Sequence, residues 1–318
     1  MKYEIGKTLG SFLIILLLMP LGHAMMAMME HLLSPTLLHY SAFLMGFVGL
    51  CIVICGICVK GDTRQTLFGI TGAMLFWTGW VEFLFVYYAQ RYGVHCDLQG
   101  TGIVQTTSHY LDGIAVSHEM TLNGIPAEQF TRAELKQLRG SRPEYLIMPA
   151  TFGLWVMIMV LYIFNSRTGC NMIRWIQQRL PRSLASSIEQ ESGTTIMRTN
   201  SSLSVFMEWN MIMWGLYLLL MFCYDPVFLG QRHPVTIAIA AICLFSSMLM
   251  LKKQLRIASW GRNIRFALAT VIVFWSFVEI CGRNGLFNEI WVDPVNHITE
   301  MLLILLAFIG GILIAVFK

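Results

Sequence analysis

Eight stretches of this 318-residue chain are long, apolar and nearly free of charge, which leaves few folds open. They run over residues 11–33, 36–59, 66–89, 145–164, 204–224, 235–251, 264–281 and 294–317. An α-helix needs about 20 apolar residues to cross the hydrocarbon core of a bilayer. No water reaches the backbone there, so only helices or closed barrels satisfy every N–H and C=O. None of the eight shows the alternating ten-residue pattern of a barrel strand. The chain reads as an all-α, polytopic membrane bundle of about eight transmembrane helices.

Composition closes off the other classes. Only 13% of residues are charged and 56% are hydrophobic, against about 25% charged in soluble domains. A water-soluble enzyme is excluded. The net charge of +4 is scattered over the span flanks and makes no basic patch for nucleic acid. The partners expected are the lipid bilayer, a small molecule or ion, and a partner subunit or second copy.

Basic residues set the orientation. Of the 22 lysines and arginines, 15 fall on the side that receives both termini. Two of the rest lie in short loops on the other side, and five lie in one long loop, where the rule counts less. Both termini are expected in the cytoplasm of a cell whose multi-pass membrane is of the bacterial inner-membrane type. The first apolar run continues to Leu33 and reads as a span, not a cleaved leader.

Two long loops divide the chain. A first membrane half covers 1–164 and includes an outer loop at 90–144; residues 165–203 form an inner connection; a second half covers 204–318. In the outer loop, Thr131 and Glu134 have capping-box spacing and predict a short helix over 131–139. Tyr92, Tyr110, Leu111, Phe130 and Leu135 favour a packed cap. In the inner connection, Trp175 lies among Arg174 and Arg179, as in an interfacial helix ended by Pro181. A Ser/Thr/Glu-rich linker follows over 183–202.

The halves carry a shared pattern. Phe76-Trp77-Thr78-Gly79-Trp80-Val81-Glu82 matches Phe274-Trp275-Ser276-Phe277-Val278-Glu279 once one gap is allowed. A parallel four-plus-four duplication would place a pseudo-two-fold axis along the membrane normal.

Ionisable residues inside spans mark a pathway, a cofactor or a packed pair. All eight histidines fall in the outer half of the spans or the outer loop, as do Glu30, Glu82, Glu279 and Glu300. Met19, His23, Met26 and Glu30 share one face of the first span, and His297 and Glu300 share one face of the last. Imidazole with carboxylate from several helices suits iron, and imidazole with thioether suits copper. Glu30, His31, His297 and Glu300 are the expected metal ligands, with Glu82 and Glu279 as the catalytic carboxylates. Haem b is a further option, with axial ligands drawn from His23, His31, His39, His233 and His297. Bland roles compete: Glu279 has Arg283 at i+4, and a lone intramembrane histidine commonly bonds a neighbouring helix.

Cys51, Cys55 and Cys58 lie toward the inner face, far from these groups, while Cys96 is placed to pair with Cys223 or Cys281. No P-loop, dinucleotide fingerprint, haem-attachment sequence or nucleophile elbow occurs, so this chain alone does not run on ATP. Three readings remain. The first is a metal-dependent membrane oxidoreductase or metal-handling protein with an outward-facing site. The second is a secondary transporter or cation-coupled permease using Glu82 and Glu279. The third is a non-catalytic membrane subunit.

The orientation has a direct check. Ser187→Cys and Gly124→Cys, introduced singly with the native cysteines replaced, should label from opposite sides of the membrane; labelling from one side overturns the topology.

Overall fold

The computed structural model describes residues 3–91, 104–111, 114–122, 125–126, 148–165, 171–179, 200–224, 228–230 and 232–317. Helices α1 (Ile5–Leu32) and α2 (Pro35–Cys58) come first, α2 opening with Pro35 in its first turn. Helix α3 (Asp62–Phe76) runs into a π-helical turn, Trp77–Glu82, and then into α4 (Phe83–Arg91) without a break. After the outer loop come a 3₁₀ turn (Met148–Thr151), α5 (Phe152–Asn165) and the short α6 (Asn171–Gln177). The second half consists of α7 (Ser201–Tyr224), α8 (Pro234–Gln254), α9 (Trp260–Arg283) and α10 (Ile298–Phe317).

Seven helical rods among the described residues are long and apolar enough to cross a membrane: α1, α2, the α3–α4 rod, α7, α8, α9 and α10. The polytopic helical bundle is thus established. The stretch expected over 145–164 is described from residue 148 to 165, as the 3₁₀ turn running directly into α5. Pro149 sits in the turn, and a proline lacks the N–H that would extend a regular helix backwards.

Van der Waals fit holds the bundle together, because lipid chains are as apolar as leucine and give no hydrophobic drive between helices. Helices α2 and α3 approach until glycine is the only residue that fits. A Cβ on Gly72 would lie 2.6 Å from the Gly49 carbonyl oxygen, and one on Gly79 would lie 2.6 Å from both the Ala42 oxygen and the Gly46 nitrogen. On the outside, Ile242 and Phe245 of α8 and Leu302, Leu303 and Leu306 of α10 are exposed, forming apolar faces that hydrocarbon covers.

The strongest helix contacts exchange partners when α1, α2 and α3 are swapped for α7, α8 and α9. Helix α2 packs on α3 as α8 packs on α9, and α7 packs on α3 as α1 packs on α9. The hydrogen bonds repeat the exchange. Ser202 at the start of α7 donates to Val53 O of α2 (3.0 Å), and Ser201 donates to Asp62 of α3 (2.7 Å). At the start of α1, Glu4 N donates to Leu255 O (2.9 Å), and Thr8 accepts from Asn263 of α9 (3.2 Å). Asn263 in turn accepts from Gln254 of α8 (2.7 Å), and Thr8, Gln254 and Asn263 are all fully buried. These contacts gather the start of α1, the α2–α3 corner, the start of α7 and the α8–α9 corner at one end of the bundle, here called the inner end. Helix α10 returns toward that end, with Gly311 against Ile14 of α1.

In the outer loop, β1 (Val104–Leu111) pairs antiparallel with β2 (Ile114–Leu122), with an irregularity at His109/Tyr110, and β3 (Ile125–Pro126) adds to β2. Strands were not expected there. The signal present in the sequence is Asp112-Gly113, a two-residue hairpin dipeptide between β-prone runs. The helix expected over 131–139, the linker 183–199 and Cys96 lie outside the described residues. The interfacial reading of α6 gains support from Arg179, whose guanidinium lies 3.8 Å over the exposed Trp175 ring.

Gly72→Val should destabilise the detergent-solubilised protein by about 1–3 kcal/mol, the usual cost of overpacking a close contact. Gly310→Val, where a side chain meets nothing within 4 Å, should stay within about 0.5 kcal/mol of wild type. Equal thermal unfolding of the two variants would contradict the α2–α3 contact.

Candidate functional site: a buried carboxylate, imidazole and phenol

Three spans bring one polar group each to a common point. His23 of α1 places Nδ1 2.9 Å from Oε1 of Glu82, and the two side chains are only 14% and 11% exposed. The other ring nitrogen, Nε2, lies 3.3 Å from the hydroxyl of Tyr217 on α7. Apolar surface closes around them: Trp77 is buried, with its ring centroid 5.6 Å from that of Tyr217.

The π-helical turn supplies Glu82. A π turn holds one residue more than an α turn, and such turns recur at functional sites. The sequence motif of the third span is likewise one residue longer than its counterpart in the seventh, and the longer copy is the one wound as π, from Trp77 to Glu82. The wider turn takes up the extra residue within itself, and Glu82 stands at its end. Packing pins the turn: Gly79 lies against the α2 backbone, and Trp80 donates its indole N–H to Phe43 O (3.0 Å). Across the turn, Thr78 Oγ1 lies 3.6 Å from where a Cβ on Gly22 would sit.

In the neutral state of the ring, Nδ1–H donates to the carboxylate and Nε2 accepts from the phenol. Protonated at both nitrogens, it donates at both ends. An imidazole held this way can take a proton at one nitrogen and release one at the other without leaving its place. The pair is largely removed from water, so its electrostatics are stronger than at a surface.

The other expected residues are spread over the outer end. Glu279 is buried on α9 at 7% exposure, one turn beyond Trp275, whose ring stacks near Trp291 at 4.9 Å. Arg283 lies 4.4 Å over the Tyr224 ring. His297 and Glu300 approach at 3.5 Å with side-chain exposures of 34% and 52%. Glu30 and His31 are exposed at the end of α1. His39 packs its ring edge-on against Tyr87 (4.2 Å) and Phe83 (5.5 Å). His233 caps α8, its Nδ1 accepting from Val235 N (3.2 Å).

The structure therefore regroups the candidates. His23, expected as a haem ligand, joins Glu82, expected as a catalytic carboxylate; Tyr217 was not anticipated. Among the described residues no group of three or more His, Cys, Asp or Glu side chains could hold a metal ion. Of the histidines expected as haem ligands, His23 is bonded at both ring nitrogens, His39 packs edge-on against Tyr87 and His233 caps a helix. Cys223 and Cys281 are free thiols.

No protein-family model, curated protein or solved structure matches this chain. The site itself must carry the functional reading.

Removing one member of a buried pair strands the other. His23→Leu should cost about 3–5 kcal/mol on that ground, and the double variant His23→Leu/Glu82→Leu should lose less than the sum of the single changes. A coupling of about 0.5–3 kcal/mol is expected for residues in contact. Strictly additive losses in denaturant unfolding would show that the two side chains do not interact.

Proposed function

We propose that this multi-pass membrane protein is a proton-linked secondary transporter, in which Glu82, held by His23, takes up and releases the coupling proton. The observation that carries the reading is the 2.9 Å contact between His23 and Glu82 at a π-helical turn, with Tyr217 of the opposite half on the second imidazole nitrogen. With the imidazole protonated at both nitrogens beside the carboxylate, the pair is neutral overall. Releasing that proton leaves a net negative charge in a nearly dry site, at a cost of several kcal/mol unless a cation enters to offset it. Exchange of a proton for a cation at one carboxylate follows from that arithmetic. Glu279, at the matching place in the repeated motif, is the counterpart in a four-plus-four duplication, which the exchange-symmetric packing supports.

Rearrangement would use the π turn, where α-helical winding is interrupted, together with Pro20 inside α1 and Gly310-Gly311 in α10, residues that weaken a helix. We place the inner end, with both termini, in the cytoplasm on the distribution of basic residues.

An iron or copper oxidoreductase is the second reading. His23 Nδ1 and Glu82 Oε1 are donors of the right type. Ligation would require the ring to surrender one of its two present bonds and a third donor to join. For that reason it ranks below proton exchange.

Both readings meet the same experiment. In proteoliposomes holding a trapped pH-sensitive dye, an imposed sodium or potassium gradient should drive proton movement through the wild-type protein. Glu82→Gln should slow it about a hundredfold or more, the usual loss on deleting a positioned acid–base group. Glu300→Gln, at an exposed position, should leave it unchanged. Wild-type flux from Glu82→Gln overturns the proposal. Stoichiometric iron or copper in the wild type that Glu82→Gln abolishes would transfer support to the metal reading.

A further inference from the structure

The inner end holds a second feature, independent of the His23–Glu82 site. A cavity of about 1090 Å³ opens between the α2–α3 corner, the start of α7 and the α8–α9 corner. Its walls include Lys60, Arg256, Arg262 and Arg265, against a single carboxylate, Asp62. That carboxylate is already engaged by Arg265 (2.6 Å) and by the Ser201 hydroxyl (2.7 Å). Among the described residues, the side chains of Lys60, Arg256 and Arg262 make no ion pair or hydrogen bond, and Arg262 acts on the same Asp62 at longer range, so four cations share this wall with one carboxylate.

We propose that this cavity binds a phosphate-bearing anion. Concave walls of one sign focus the field and raise the local concentration of the opposite ion. Guanidinium forks match phosphate oxygens in pairs, and a phosphate group carries close to two negative charges, nearer to the three unmatched cations than a monocarboxylate would come. Three long helices, α3, α7 and α9, begin at the cavity walls, and their N-terminal ends add partial positive charge. The volume exceeds what a bare phosphate needs and accommodates an organic body attached to it. Two sources supply this chemistry: the headgroup of an anionic phospholipid, since the cavity lies where the helices leave the hydrocarbon, and a soluble phosphorylated molecule.

Thermal unfolding of the full chain in detergent tests the proposal and separates the sources. The probes are inorganic pyrophosphate, phosphatidylglycerol, and phosphatidylcholine as the neutral control. Wild type should gain an upward shift in Tm with pyrophosphate, with phosphatidylglycerol, or with both, and none with phosphatidylcholine. A response to pyrophosphate assigns a soluble ligand; a response to phosphatidylglycerol alone assigns the lipid. The triple variant Lys60→Gln/Arg256→Gln/Arg262→Gln should lose the shift while unfolding normally without ligand, because all three side chains are exposed. Arg262→Gln alone should weaken binding about tenfold, the equivalent of one charge-assisted bond. No shift with either anion, or equal shifts in wild type and the variants, overturns the proposal.

Discussion

Inside a bilayer, helices associate through close fit and a few polar contacts. Here the closest fit is that of α2 on α3, where the backbones meet at Gly49 and Gly72 and again at Gly46 and Gly79. That approach fixes α3 in depth and rotation, and with it the π turn beginning at Trp77. Helix α7 then docks on α3 through Ser201 and Asp62, and α1 on α9 through Thr8 and Asn263, at the inner end. The first span of each half is thereby built into the other half, so the halves cannot separate without losing both sets of contacts. His23 meets both Glu82 and Tyr217 because this exchange brings α1 and α7 to the same turn.

A buried ion pair is a poor device for stability. Replacing it with well-packed apolar residues is often neutral or favourable, while breaking it is costly. The His23–Glu82 contact therefore argues for chemistry more than for cohesion, and the π turn points the same way, since it is a departure from the more regular helix next to it. The inner end contrasts with this. Thr8, Gln254 and Asn263 are neutral, fully buried and mutually hydrogen-bonded, a network that joins helices without any group that titrates.

Depth was legible in the sequence; rotation was not. Counting along the spans placed His23, Glu82 and Glu279 in the outer halves, and the one-residue gap between the two Phe-Trp motifs was visible before its π-helical form. Met19 and Met26 are buried on the face that also carries His23, as their spacing required. Glu30 continues that face but lies past the packed part of α1, and so is exposed. The partner of Glu82 depends on which helices adjoin, and Tyr217 sits in a leucine-rich run where nothing local marks it. The hairpin went unnoticed because loop polarity hides strand alternation, even with Asp112-Gly113 between the strands.

The central claim is that α1 and the π turn of the third span meet at His23. Gly22→Cys with Thr78→Cys, in a chain whose native cysteines are replaced, tests it at the neighbouring position, where the Thr78 hydroxyl lies 3.6 Å from a Cβ built on Gly22. Two cysteines so placed are within reach of a disulfide. Mild oxidation in the membrane should link them rapidly, while Gly22→Cys with Gly310→Cys should stay reduced. Failure of the first pair to link, in protein that is otherwise folded, would contradict the account.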